Sequence, residues 1–293
     1  MRIVQSLWTG PAKSLGPLAE FRGGWPTAQL YWYSWALSCL QAHKTHGRVD
    51  LVTDSDGARL LVDRLELPYH NVSTHLDEVH AHPGLWAYGK IVAYGIQETP
   101  FIHIDADVYL WKRLPKEFLN AELLVQSLEQ GNSEWYYTYY GRYREEIEKC
   151  LPLIPSSWKK FAGECSAFCM GIFGGTDLEA IRQYVHQVQQ LVGSAENREG
   201  WNAIFSNGHS FLQWSNCAIE QLTAYCVFNE LNKWPRTLFY QDEFELSSGR
   251  ARELGYTHVL GGKYRDRAVH NRVAKRIQTD YPHVVDHVAR LLS

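Results

Sequence analysis

Short apolar runs alternate with stretches of helical periodicity along the first hundred residues. Residues 3–8, Ile-Val-Gln-Ser-Leu-Trp, form a β-prone run closed by Gly10-Pro11. The Gly- and Pro-rich residues 10–26 that follow read as a loop, and Pro26 suits the first turn of a helix. Beyond it Leu30, Tyr33, Leu37 and Leu40 recur at helical spacing, a stripe that ends near Gly47. Residues 49–53 predict a second strand, stopped by Asp54-Ser55-Asp56-Gly57, and residues 58–66 a helix ended by Pro68. A third helix is expected over 86–97, where Pro100 blocks its continuation, and residues 101–104 predict a strand running into Asp105-Ala106-Asp107. This alternation points to an α/β layer with parallel strands. Ligands of such sheets bind beyond the carboxyl ends of the strands. The three predicted strands end in the polar segments Trp8-Thr9, 54–56 and 105–107, which could meet at one site.

The second half is less regular. Residues 134–160 carry Tyr and Trp between charges and prolines and read either as a lid or as an aromatic insertion. Gly171-Ile172-Phe173-Gly174-Gly175 predicts a strand ending in a turn, and Asp177 a cap for a helix over 178–192. Another helix is expected over 218–231, a strand over 257–260, and a helical tail over 266–292 with a break at Pro282. Without a linker, repeat or low-complexity tract, the chain reads as a single domain over 1–293. Its N-terminal half would be 1–115 and its C-terminal half 116–293.

Composition narrows the classes. With 45% hydrophobic and 21% charged residues, the chain can bury a core and is not a disordered protein. A net charge of −3 does not advertise a nucleic-acid surface. No apolar run approaches the length of a membrane span, although the basic tail residues Arg265, Arg267, Arg272, Lys275 and Arg276 could touch a membrane surface or an acceptor. The six cysteines contain no CxxC pair and read as reduced thiols. The start of the chain reads as a strand, not a signal peptide. A reducing cytoplasm is the compartment these features lead one to expect.

The chemistry concentrates at Asp105-Ala106-Asp107. Two carboxylates two residues apart, just past an apolar strand, are costly to leave together without a counter-charge. Oxygen-seeking Mg²⁺ or Mn²⁺ resolves that cost and brings a substrate diphosphate with it. A solvated turn with two capping aspartates is the plain alternative. Phe-Ile-His-Ile-Asp-Ala-Asp-Val followed by Trp-Lys-Arg-Leu-Pro resembles the metal-binding strand of GT-A fold glycosyltransferases. The motifs are most similar to those of the glycogenin and lipopolysaccharide-galactosyltransferase type. The resemblance implies a Rossmann-like GT-A fold, with a central, mostly parallel sheet flanked by helices.

That resemblance carries further assignments. Lys90 stands where the family places a basic helical residue before the metal strand. His258-Val259-Leu260-Gly261-Gly262-Lys263 is similar to its late His-x-x-Gly-x-x-Lys motif, one residue shorter and without the Pro-Trp that often follows. The string also makes sense in itself. A neutral His258 can complete a metal shell, Gly261 and Gly262 allow backbone close to a phosphate, and Lys263 can set a point charge on a diphosphate oxygen. In the family the end of the first strand cradles the base, which places Trp8 and Thr9 there; Asp54 ends the second strand, where a base or ribose contact is common. Trp8 as a core ring and Asp54 as the cap of a turn stay open. Glu220-Gln221 resembles the acidic-Gln pair beside the donor sugar, against the alternative of an exposed helical glutamate.

Together these imply an enzyme: a glycosyltransferase using Mn²⁺ or Mg²⁺ and a nucleotide-diphosphate sugar, a UDP-sugar above others. The resemblance points to retention of configuration, and the acceptor could be a glycan, a peptide or a small molecule. Two rivals stand beside it. A sugar nucleotidyltransferase would need a Gly-rich, basic loop after the first strand, where this chain has only Lys13. A non-catalytic binding module on the same fold would have no need of an intact Asp-x-Asp.

Overall fold

A computed structural model describes residues 1–129, 141–206, 215–240, 248–260 and 262–293. Its strands are β1 (Arg2–Leu7), β2 (Val49–Thr53), β3 (Val72–Ser73), β4 (Phe101–Ile104), β5 (Val108–Leu110), β6 (Leu124–Glu129), β7 (Ala167–Gly175), β8 (Arg236–Thr237) and β9 (Tyr256–His258). Seven of them form one sheet in the order β3-β2-β1-β4-β7-β6-β8, and β5 and β9 form a separate ribbon. β1 with β2, β2 with β3 and β6 with β8 pair parallel, while β7 runs antiparallel to β6. Helices flank the sheet, so the architecture is the mostly parallel α/β sheet expected. Strand order 3-2-1-4 has its reversal between β1 and β4, the place where open α/β sheets bind ligands.

The chain packs as two compact units. One takes Met1, Glu78–Ile102 and Lys116–Arg250; the other takes Arg2–Asp77, His103–Pro115 and Ala251–Ser293. In the second unit, β2 is buried at every position, and its one charged residue, Asp50, is paired with Arg2 and Arg48. The helix Ala28–His46 begins where the Thr27 hydroxyl accepts from the Leu30 N–H. Pro26 therefore precedes the cap rather than entering the first turn. The helix ends at Gly47, whose φ of 81° closes the last turn. The expected one-sided stripe is wrong in an instructive way. Residues 31–39 are buried without a break, so this helix is a core element covered on all sides. Tyr31, Trp32 and Trp35 pack with Leu37, Leu61, Val273, Ile277, Val284 and Val288, which brings in the tail helices Arg267–Asp280 and Pro282–Leu292.

In the first unit, β7 is buried throughout and is longer than its Gly-rich end suggested. Asp177 caps the helix Leu178–Gly193 as expected, accepting from the Ala180 N–H. The helix Ala87–Gly95 has no cap among its own neighbours in sequence. Asn216 supplies it from a distance: its carbonyl accepts from the Ala87 N–H and its amide donates to Gly84 O. Phe173, Tyr184, Tyr94 and Phe228 form an aromatic cluster between strand and helices. The six cysteines are all free thiols, in keeping with a chain too large to need disulfide staples. Of the aromatic segment 134–160, residues 134–140 lie outside the described residues, and the rest includes the helices Arg142–Cys150 and Ser156–Lys160.

Candidate functional site

The Asp105-Ala106-Asp107 turn joins β4 to β5, and its backbone is pinned from below. Ser38 Oγ donates to Val108 O at 2.6 Å and lies 3.2 Å from Asp105 O. Ser34 Oγ donates to Ala106 O at 2.8 Å and meets the Tyr109 hydroxyl at 2.9 Å. Gln5 reaches Ser38 from β1, and Tyr69 reaches Gln5. One buried face of the helix Ala28–His46 thus uses two serines to hold the carbonyls of the turn, a polar network whose groups satisfy each other.

The β5–β9 ribbon brings the distant histidine to that turn. Val108 pairs with His258 and Leu110 with Tyr256 in antiparallel register, and the Val259 N–H donates to Asp107 O at 3.0 Å. The register sets His258 Nε2 3.5 Å from Asp107 Oδ1. Just beyond, the short helical turn Gly262–Arg265 carries Lys263, whose Nζ lies 2.7 Å from Asp107 Oδ2. Asp107 is 6% exposed. Burial alone would raise its carboxyl, but the Lys263 and His258 charges and their hydrogen bonds override it and hold the group well below the usual carboxylate range. Burial likewise pulls the Lys263 ammonium down, and the Asp107 carboxylate more than restores it.

Asp105, Asp107 and His258 each offer a ligand atom, and these atoms lie within 4.8 Å of one another. That span is about twice a metal–oxygen bond of roughly 2.1–2.5 Å, the separation of ligands on opposite sides of one ion. Two carboxylates and an imidazole suit Mg²⁺, Mn²⁺ or a harder transition ion. The residues present therefore fit a divalent cation. They come together although 151 positions separate Asp107 from His258 in sequence (258 − 107).

The other expected residues of this unit gather at the ends of β1 and β2. Asp54 is 3% exposed, and its carboxylate accepts from the Thr9 N–H, the Thr9 hydroxyl and the Gly57 N–H. Asp54 and Thr9 therefore weld the two strand ends to each other, the cap that was one of the two readings. Trp8 is half-buried and folds over Gly10, where a Cβ would stand 2.6 Å from the indole. Any larger residue at position 10 would have to push that ring aside. Lys13, the basic residue of the same loop, is ion-paired with Asp56. Gly261 lies outside the described residues, and Gly262 opens the short turn that carries Lys263. Between His258 and this turn, Leu260 holds a φ of 45°, a left-handed conformation that a branched side chain rarely adopts.

Lys90, Glu220 and Gln221 belong to the first unit. Glu220 is 2% exposed, which overturns the reading of it as an exposed helical glutamate. Lys90 Nζ lies 2.6 Å from Glu220 Oε1 and donates to Met170 O at 2.9 Å. The Tyr94 hydroxyl stands 3.5 Å from the same carboxylate. Glu220 sits in a π-helical turn, Ala218–Leu222, an insertion frequent at functional sites. Removing either partner of such a buried pair costs about 3–5 kcal/mol.

Sequence reasoning missed the supporting residues. Ser34 and Ser38 look like ordinary polar interruptions of a helical stripe; four-residue spacing was their only signal. Ser6 Oγ meets His103 Nε2 at 2.9 Å, and His103 Nδ1 lies 3.9 Å from Asp105 Oδ1. A histidine inside an apolar strand, two residues before Asp105, was visible but carried no stated role.

Comparison with known structures places two glycosyltransferases among those it resembles. Mouse xyloside xylosyltransferase 1 is 12% identical, with a TM-score of 0.39, over 88% of this chain and 96% of that one. The galactosyltransferase LgtC, solved in complex with donor and acceptor sugar analogs, is 10% identical, with a TM-score of 0.42, over 100% and 97%. No curated protein sequence matches. A family model covers residues 1–291, and the chain belongs to the family of unknown function DUF6734.

Proposed function

We propose that the protein is a divalent-metal-dependent glycosyltransferase of GT-A type that takes its sugar from a nucleotide-diphosphate donor. The observation that carries this reading is the convergence of His258 and Lys263 on the Asp105-Ala106-Asp107 turn at the strand-order reversal of a mostly parallel sheet. A solvated turn with two capping aspartates has no reason to bury one carboxylate and supply it with a histidine and a lysine from the far end of the chain.

On this reading each residue has a physical task. Asp105, Asp107 and His258 would hold Mn²⁺ or Mg²⁺, which when bound supplies positive charge beside the leaving diphosphate. Lys263 sets its ammonium on a diphosphate oxygen, where it stabilises the charge that grows as the glycosidic bond breaks. Trp8, held by the Gly10 turn, offers its indole face to the base. Thr9 and Asp54 act one step back, fixing the strand end that presents Trp8. Ser34 and Ser38 keep the carboxylate turn rigid, so little reorganisation accompanies the reaction. Glu220 and Gln221 keep the sugar-facing role that the resemblance assigns, with Lys90 as the buried counter-charge of Glu220. The resemblance favours retention and a UDP-sugar. The nucleotidyltransferase alternative needs free basic groups after β1, and Lys13 there is already engaged by Asp56.

A panel of nucleotide-sugars tests this without knowledge of the acceptor. Metal-dependent release of nucleoside diphosphate from at least one donor is expected, with a loss of about 10²–10³-fold in Asp107→Asn. Equal turnover by Asp105→Asn, Asp107→Asn and the wild-type protein would remove the cluster from catalysis.

A further inference from the structure

The Lys263–Asp107 contact bears on more than diphosphate binding. The same carboxylate that would ligate a cation through one oxygen is held at the other by an ammonium 2.7 Å away. A divalent ion bonded to Asp107 at roughly 2.1–2.5 Å would face that ammonium across a single buried carboxylate, and like charges at such range repel strongly in a poorly screened site. Ion and ammonium therefore compete for Asp107.

We propose that Lys263 is a built-in counter-ion of the metal site, one that a diphosphate draws away, so that metal and diphosphate bind with mutual support. The proposal rests on the glycosyltransferase reading for its diphosphate and on the geometry for its competition. Lys263 is suited to the exchange. Its backbone is tied down, because His270 Nε2 donates to Lys263 O at 2.9 Å. Its side chain is a flexible stem with a point charge at the tip. The Tyr264 ring, 5.7 Å from Nζ, gives the charge a second favourable neighbour. Leu260, two residues beyond His258, itself holds a left-handed φ of 45°, a strained conformation for a residue other than glycine. A diphosphate offers Lys263 more negative charge than Asp107 does. Once the ammonium moves to it, Asp107 is released to the metal. By linkage, each ligand then raises the affinity of the other by the same factor.

The test is a pair of binding measurements on the full chain, with substitutions Lys263→Met and Lys263→Arg. Free Mn²⁺ is read by electron paramagnetic resonance in the absence of any phosphate. Lys263→Met is expected to bind Mn²⁺ more tightly than wild type, by about tenfold, within the usual range of coupling between sites. Lys263→Arg keeps the charge and should stay near wild type, which separates charge from folding damage. In a metal-free titration, inorganic pyrophosphate should bind Lys263→Met more weakly. Mn²⁺ affinity that is unchanged or lower in a folded Lys263→Met overturns the counter-ion role, even if binding still depends on Asp105 and Asp107. Absence of Mn²⁺ binding in wild type and variant alike overturns the metal site itself and the functional reading with it.

Discussion

The imidazole of His46 is neutral by construction. Its Nε2 accepts from the Leu114 N–H at 3.2 Å, and its Nδ1 meets the Thr45 hydroxyl, which itself donates to Gln41 O. Burial, with the nearby Arg113 charge, pushes its pKa down from 6.5 to about 4. Below about 6.5 the unfolded chain takes up a proton that the folded chain refuses until about 4, so stability falls with pH across that window. The loss should reach about 2–3 kcal/mol at the acid end. Urea melts between pH 4 and 7 should show this slope in wild type and a flatter one in His46→Gln; equal slopes would clear His46 of the effect. Asp105, Asp107 and His258 were legible in the sequence, because an acidic pair just past an apolar strand demands a counter-charge and a late histidine next to glycines and a lysine can help supply it. Ser34, Ser38 and the burial of Glu220 were not. Their meaning depends on which carbonyl or ammonium lies opposite, and that partner is set by packing.

Some boundaries in the first hundred residues followed from local chemistry and others did not: the loop expected over 10–26 holds the short helices Gly10–Lys13 and Leu18–Glu20, and the helix expected over 58–66 begins already at Ser55. Residues 49–53 and 101–104 were read to the residue, since each is a short β-prone run that stops at an aspartate. The β5–β9 ribbon was harder to see. Each strand is three residues long, too short for a period to show, yet this ribbon carries His258 to Asp107. The Asn216 cap was hidden for a related reason, since its helix begins 129 residues away. The strand expected over 171–175 begins earlier, at Ala167, and runs through Gly175. Gly174, at φ 156°, lies so close to its neighbour that a Cβ would stand 2.1 Å from Phe101 O. Backbone cannot step aside as a flexible side chain can. Gly174→Ala should therefore destabilise the protein by more than about 3 kcal/mol, read as a drop in the denaturation midpoint. A shift under about 1 kcal/mol would show that the two strands part easily.

For the molecule as a whole, the class was legible, because it rests on order along the chain. Strands alternating with helices lead to a mostly parallel sheet, and such a sheet gathers its strand ends. The division into two compact units was not legible, because each unit is assembled from separated segments with no linker between them to read. The second unit holds β1, β2, β5 and β9 together with the tail helices, and within it every proposed metal ligand and Lys263 are found. The membership of DUF6734 extends over 1–291, so the site and both units are part of what that family shares a model for. The proposed chemistry stands or falls with Asp105, Asp107 and His258 holding one divalent cation. Anomalous diffraction from crystals soaked with Mn²⁺ and UDP would locate that ion. A single manganese peak roughly 2.1–2.2 Å from an oxygen of each aspartate and from His258 Nε2 is the expected result. A map with no peak there, or with manganese bound only elsewhere, would contradict it.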